Sequence, residues 1–199
     1  MKRLWLIVFL ALIVVVAVSG VSGYNKLVRL GQAVDGQWAQ VENAYQRRAD
    51  LVPNLVATVK GAAKFEQETL VAVTEARSRV GQISAQATEK IANDPAALQK
   101  FQQAQDGLSS ALSRLLVVAE KYPELKATQN FRDLQSQLEG TENRIAVERM
   151  RFNQTAQTFN TARGSFPTVL VAGILGGKFA EKTYFKAQAG AATAPQVQF

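Results

Sequence analysis

The sequence predicts an all-α protein: an N-terminal transmembrane helix followed by an up-and-down bundle of four long antiparallel helices. Three observations carry this. Lys2 and Arg3 precede fifteen consecutive apolar residues, Leu4 to Val18, with Trp5 and Tyr24 near the two ends. Beyond Leu27 the apolar residues recur at helical spacing in blocks separated by proline and polar stretches. Nowhere is there a sustained apolar/polar alternation, or an Asn-Gly or Asp-Gly hairpin signal flanked by one, to support a sheet.

The N-terminal segment has the flanking charge and interfacial aromatics of a membrane span. Leu4 to Tyr24 would reach about 31 Å at 1.5 Å per residue, matching a hydrocarbon core of about 30 Å. Twelve of the fifteen residues are Leu, Ile, Val or Phe; at roughly −0.3 to −0.6 kcal/mol each, insertion is favoured by about 4 to 7 kcal/mol. The competing reading is a cleaved signal peptide, because Val18-Ser19-Gly20 and Val21-Ser22-Gly23 offer small residues to a peptidase. Against cleavage, the apolar run is at the upper limit for a signal sequence, and Tyr24-Asn25-Lys26-Leu27 enters a helical pattern without a linker. Lys2 and Arg3 then stay in the cytoplasm, and the bundle is expected on the periplasmic or extracellular side of the bacterial cell membrane.

The first bundle helix places Leu27, Val34 and Val41 on one row, with Leu30, Trp38 and Tyr45 beside it. A second set follows Pro53: Leu55, Val59, Ala62, Leu70, Val73 and Val80, with Asp50 and Pro53 acceptable as first-turn residues. If Asp50 to Asn54 is a kink and not a reversal, these two helices merge and the bundle becomes three-stranded. The polar stretch Gly81 to Asn93 breaks the pattern. A third helix opens with Asp94 as cap and Pro95 at the first helical position, and runs through Leu98, Phe101, Leu108, Leu112, Leu115 and Ala119 until Pro123 ends it. The fourth runs from about Asn130 through Phe131, Leu134, Leu138, Ile145, Phe152 and Phe159 to Phe166, roughly 55 Å. The organisation expected is therefore residues 1–24 as basic tip and anchor, 25–166 as bundle, 167–186 as an apolar and basic segment near the membrane or capping the bundle, and 187–199 as a disordered tail. With four rods, the end of the fourth returns to the membrane face. The apolar run from Phe166 to Gly177, too short to span, then lands beside the anchor, and Lys178, Phe179, Lys182, Tyr184, Phe185 and Lys186 follow it.

Composition narrows the chemistry. The chain has no Cys and no His, which removes disulfides, Ser-His and Cys-His pairs, His-based zinc sites and the Glu-x-x-His motif of di-iron bundles. The net charge of +7 lies toward the two ends while the middle is almost neutral, which speaks against a nucleic-acid stripe and suits terminal segments near anionic lipid. Charges on or beside the apolar rows, Arg48, Glu66, Arg77, Glu142 and Arg149, are expected to form a buried polar network that fixes register, because an unpaired buried charge costs several kcal/mol. Their functional alternative is a polar ligand pocket. Two Glu among three Arg is too positive a setting for a metal ion, and no pair has the surroundings of a general acid and base. No cofactor is expected, and no enzymatic role.

The chain resembles the LemA family. The resemblance rests on Tyr24-Asn25-Lys26-Leu27-Val28, Trp38 with Val41-Glu42, and Arg47-Arg48-Ala49-Asp50-Leu51-Val52-Pro53-Asn54-Leu55-Val56. It continues in Glu75-Ala76-Arg77, Tyr122-Pro123-Glu124-Leu125-Lys126-Ala127, Asn130-Phe131, Leu138-Glu139-Gly140-Thr141-Glu142-Asn143-Arg144-Ile145-Ala146, Arg151-Phe152-Asn153, Phe159-Asn160-Thr161 and Phe166-Pro167. Coverage runs from the anchor to about Phe185. Phe65 precedes Glu66 where relatives often carry His, so any role of that His is unfilled. The resemblance implies one N-terminal membrane anchor, an up-and-down bundle and no established enzymatic activity; members are associated with bacterial envelopes and some with magnetosome membranes.

The functional expectation is thus a membrane-anchored interaction or scaffold module whose partners are the lipid bilayer, an envelope protein or a second copy of the chain. The exposed polar members of the motif blocks, Arg47, Asp50, Asn54, Lys126 and Asn130, are the candidate partner contacts; their structural alternative is capping helices and closing turns. A self-assembling membrane-remodelling protein and a ligand sensor are the alternatives.

Overall fold

The computed structural model describes residues 2–61, 66–87 and 91–186, with the side chains of 86 and 87 excepted. Among these residues there is no strand. α1 (Lys2–Lys60), α2 (Gln67–Ala87), α3 (Pro95–Ala119), a one-turn α4 (Pro123–Lys126), α5 (Gln129–Gly164) and α6 (Thr168–Leu175) follow in order, with 3₁₀ turns at Ile91–Asn93 and Gly176–Phe179. Four long helices build the fold, as the sequence predicts, and the apolar segment with the first bundle rod is one uninterrupted helix about 88 Å long. The expected tail over 187–199 lies outside the described residues, as do Ala62 and Phe65.

The boundary between the first two rods differs from expectation. Asp50 to Asn54 is neither a reversal nor an end: α1 runs through Pro53 to Lys60, and α2 begins at Gln67. A proline inside a helix leaves the carbonyl four residues back without its N–H partner. That carbonyl is Ala49's, and the Arg77 Nε from α2 donates to it at 2.9 Å. A tertiary contact thus replaces the missing helical hydrogen bond, and Leu55 and Val59 stay on α1 as buried core. The polar stretch after Gly81 also remains helical to Ala87 before the chain turns.

The other boundaries follow local chemistry. Asp94 Oδ1 accepts from the backbone N–H of Ala96 at 2.8 Å and Ala97 at 3.2 Å, with Pro95 in the first turn. Thr128 caps α5 by accepting from Phe131 N–H, and α4 makes the corner that carries buried Leu125 into the core.

α1 pairs with α5 and α2 with α3 along their lengths. The core has two halves. The half near the N-terminal apolar segment gathers Leu27, Val34, Trp38, Val41, Tyr45, Phe101, Ile145, Phe152 and Phe159. Trp38 sits at its centre, with ring centroids of Phe101, Phe152 and Phe185 at 5.3, 5.6 and 6.0 Å. The far half gathers Val52, Leu55, Val59, Val73, Leu108, Leu112, Leu115, Phe131 and Leu138. α6 packs on α1 and α5 beside the end of the apolar segment.

Candidate functional site

Between the two apolar halves lies a polar layer. Arg48 continues the Leu27, Val34, Val41 row of α1 into the interior and is 1% exposed. Its Nη1 donates to Ser109 Oγ at 2.5 Å and Glu142 Oε1 at 2.7 Å; its Nη2 donates to the Gln105 side-chain oxygen at 2.5 Å and the Gln105 carbonyl at 3.1 Å. The guanidinium also lies 5.2 Å from the centre of the Tyr45 ring. One cation therefore ties α1 to α3 and α5 at a single level, and Glu142, with 40% of its side chain exposed, connects that level to solvent. Burial pushes the Tyr45 hydroxyl above its ordinary value, while Arg149 and Arg48 pull the other way.

Of the five residues expected in a buried network, the structure joins only Arg48 and Glu142 directly. Glu66 is exposed and faces Lys121 at 3.6 Å. Arg77 holds the Ala49 carbonyl. Arg149 lies over the Phe185 ring at 4.8 Å and donates to the Lys186 carbonyl at 3.0 Å. Glu66, Arg77 and Arg149 share a sequence row with core residues but sit at its edge, where a long side chain reaches outward. Gln105 and Ser109 complete the layer and were not foreseen, because a neutral residue one turn from Phe101 carries no charge signal. Another carboxylate, Glu148, is itself buried and accepts from Gln37 at 2.8 Å and Arg151 at 3.1 Å.

The five candidate contact residues are all exposed. Arg47, Asp50 and Asn54 form a strip on α1, where Gln46 donates to Asp50 at 2.7 Å and the Asn54 carbonyl accepts from Thr58. Lys126 is on the α4 corner, paired with Glu120, and Asn130 is in the first turn of α5. Lys126 and Asn130 are on the far half of the bundle, and the α1 strip runs into it from the level of Arg48.

The structure adds a feature absent from the sequence reading. After the second 3₁₀ turn residues 180–186 form neither helix nor strand and are held by a file of α5 side chains. Arg163 donates to the Phe179 carbonyl at 2.7 Å. Asn160 gives its amide to the Lys182 carbonyl and takes the Lys182 N–H, both at 2.8 Å. Asn153 does the same for Phe185 at 3.0 and 2.9 Å. From the other side, Gln102 donates to the Lys186 carbonyl at 2.9 Å, and Thr183 N–H to the Ala92 carbonyl at 3.0 Å. The strap drops Phe185 onto Trp38 and Phe152 and buries the Lys182 side chain, whose Nζ donates to Asn93 at 2.8 Å and lies 3.8 Å from Asp35. Arg149, Asn153, Asn160 and Arg163 fall on one face of a helix, a spacing that could have revealed them.

Comparison with known proteins finds that the model of the LemA family matches residues 37–199. Magnetosome protein MamQ of Magnetospirillum gryphiswaldense is 27% identical over 172 residues, covering 79% of this chain and 63% of that protein. Magnetosome protein MamQ 2 of Paramagnetospirillum magneticum is 27% identical over 177 residues, covering 82% and 64%. Protein LemA of Metamycoplasma hominis is 24% identical over 148 residues, covering 74% and 63%. The chain spans somewhat under two thirds of the length of these relatives.

Proposed function

The chain belongs to the LemA family, and on that footing we propose that it is a membrane-anchored, non-enzymatic interaction or scaffold protein of the bacterial envelope, single-pass, with the bundle on the periplasmic or extracellular side. The observation that carries this reading is the continuity of α1. The exposed apolar stretch from Leu4 to Val18 and the rod bearing Trp38 and Arg48 are one helix without a linker, so the body is rigidly coupled to the segment that enters lipid.

The interior supports association over chemistry. Arg48 spends both terminal nitrogens and Glu148 both carboxylate oxygens on protein partners, leaving the exposed strip of Arg47, Asp50 and Asn54 to meet an envelope protein or a second copy. Proximity crosslinking in intact cells from a probe at this strip is expected to capture a defined partner or a homo-oligomer, with protease accessibility reporting the side. A strictly solitary monomer, both in cells and by native mass measurement at membrane-like concentration, would overturn the proposal.

A further inference from the structure

The outer face of α6 faces no other part of the described chain. Phe166, Leu170 and Ile174 recur every fourth residue and are 80%, 58% and 83% exposed, with Val169 and Leu175 flanking them. Its inner face is fixed. Thr168 and Val171 press against Gly23 of α1 so closely that a Cβ there would stand 3.2 Å from the Thr168 methyl. The Thr168 hydroxyl is bound to the Ala162 and Ser165 carbonyls at the end of α5. Just beyond, Lys178 Nζ donates to the Tyr24 hydroxyl at 2.7 Å and lies over its ring.

These contacts lock α6 at the level of residues 23 and 24. A span from Leu4 to Tyr24 fills a hydrocarbon core of about 30 Å, so that level is the boundary between acyl chains and headgroups. Around it stand the exposed cations Lys26, Arg29 and Lys178, the sign that suits an anionic surface. We propose that α6, with the turn before it, is a second, interfacial membrane element: Leu170 and Ile174 on the helix and Phe166 in that turn lie in the headgroup region of the leaflet from which α1 emerges, and Lys26, Arg29 and Lys178 meet anionic lipid there. The occupant of this face is lipid, not protein. The bundle is then held by two attachments and cannot swivel about the anchor.

This rests on the membrane reading above, and one experiment separates the two. The natural chain lacks cysteine, so single-cysteine variants of the full chain can carry an environment-sensitive fluorophore after reconstitution in vesicles of equal parts phosphatidylcholine and phosphatidylglycerol. V14C reports the span, L170C and I174C report α6, and V117C, exposed at the far end of α3, reports solvent. Labels at 170 and 174 are expected to shift to the blue and lose most of their intensity to a nitroxide placed high on the lipid chain, and less to one near the chain end. The label at 14 should show the reverse depth preference, and that at 117 no lipid quenching. If 14 is quenched while 174 behaves like 117, or if 174 is shielded from water yet untouched by lipid nitroxides, the α6 proposal falls and the anchor stands. If 14 is not quenched, the membrane reading itself falls.

Discussion

The proline inside α1 makes a quantitative test of how tertiary contact overrides local propensity. Pro53 deprives the Ala49 carbonyl of its helical partner, and Arg77 Nε supplies one from α2 at 2.9 Å. Replacing Arg77 by Met keeps the apolar stem and removes the donor. Hydrogen bonds from charged groups contribute roughly 1.5–3 kcal/mol, and because Arg77 is exposed the low end applies, about 1.5 kcal/mol. In a Pro53→Ala background the alanine N–H can bond the same carbonyl, so Arg77→Met should then cost about 0.5 kcal/mol or less, giving a coupling of about 1 kcal/mol. Pro53→Ala alone should stabilise by about 1–3 kcal/mol, since proline is disfavoured in a helix interior by about 3. Urea unfolding of the full chain in detergent micelles, followed by far-UV circular dichroism, measures all four corners of the cycle. Equal costs of Arg77→Met in the two backgrounds, or a destabilising Pro53→Ala, would refute the reasoning.

Three further outcomes follow from the same structure. Arg48→Ala should cost about 3–5 kcal/mol by leaving buried Gln105 and the facing groups unpaired, whereas Glu142→Gln, at a site solvent already reaches, should cost about 1; thermal unfolding that ranks them the other way would contradict the polar layer. Asn153→Ala removes both clamps on Phe185, about 2 kcal/mol at about 1 per hydrogen bond, and should speed hydrogen exchange at the Phe185 amide while leaving Leu108 and Leu112 protected. Burial raises the Glu42 carboxyl above 4.5 despite the opposing Trp38 indole, so ionised Glu42 is a liability of the folded state at neutral pH. Glu42→Gln should therefore raise the melting temperature at neutral pH, with the gain shrinking as pH falls through the raised value and gone below 4.5.

Much of the fold was legible because its signals are local. The Leu27, Val34, Val41 row, the Asp94-Pro95 opening of α3 and the Phe131 to Phe159 stripe of α5 each state a period or a cap within a few residues, and all reappear in the structure. Pro53 misled for the same reason: read locally it starts a helix, and only the Arg77 side chain 28 residues away makes it tolerable in the middle of one. The polar layer was half legible. Arg48 and Glu142 announced themselves as charges on apolar rows, but Glu66, Arg77 and Arg149 gave the same signal and sit elsewhere, because row membership does not say where a flexible side chain ends.

By itself the sequence determined that the chain is helical, that its first two dozen residues suit lipid, that nucleophile-His and metal-His chemistry is closed to it, and that it shares the motif blocks of the LemA family. Periodicity, capping and composition are properties of neighbouring residues, so no fold is needed to read them. The tertiary structure decided that α1 runs on through Pro53, which partners Arg48 finds, and that residues 180–186 return along α5 under Asn153 and Asn160. These depend on pairs separated by 22 to 94 positions, whose meeting is set by packing of whole helices and not by any pattern along the chain.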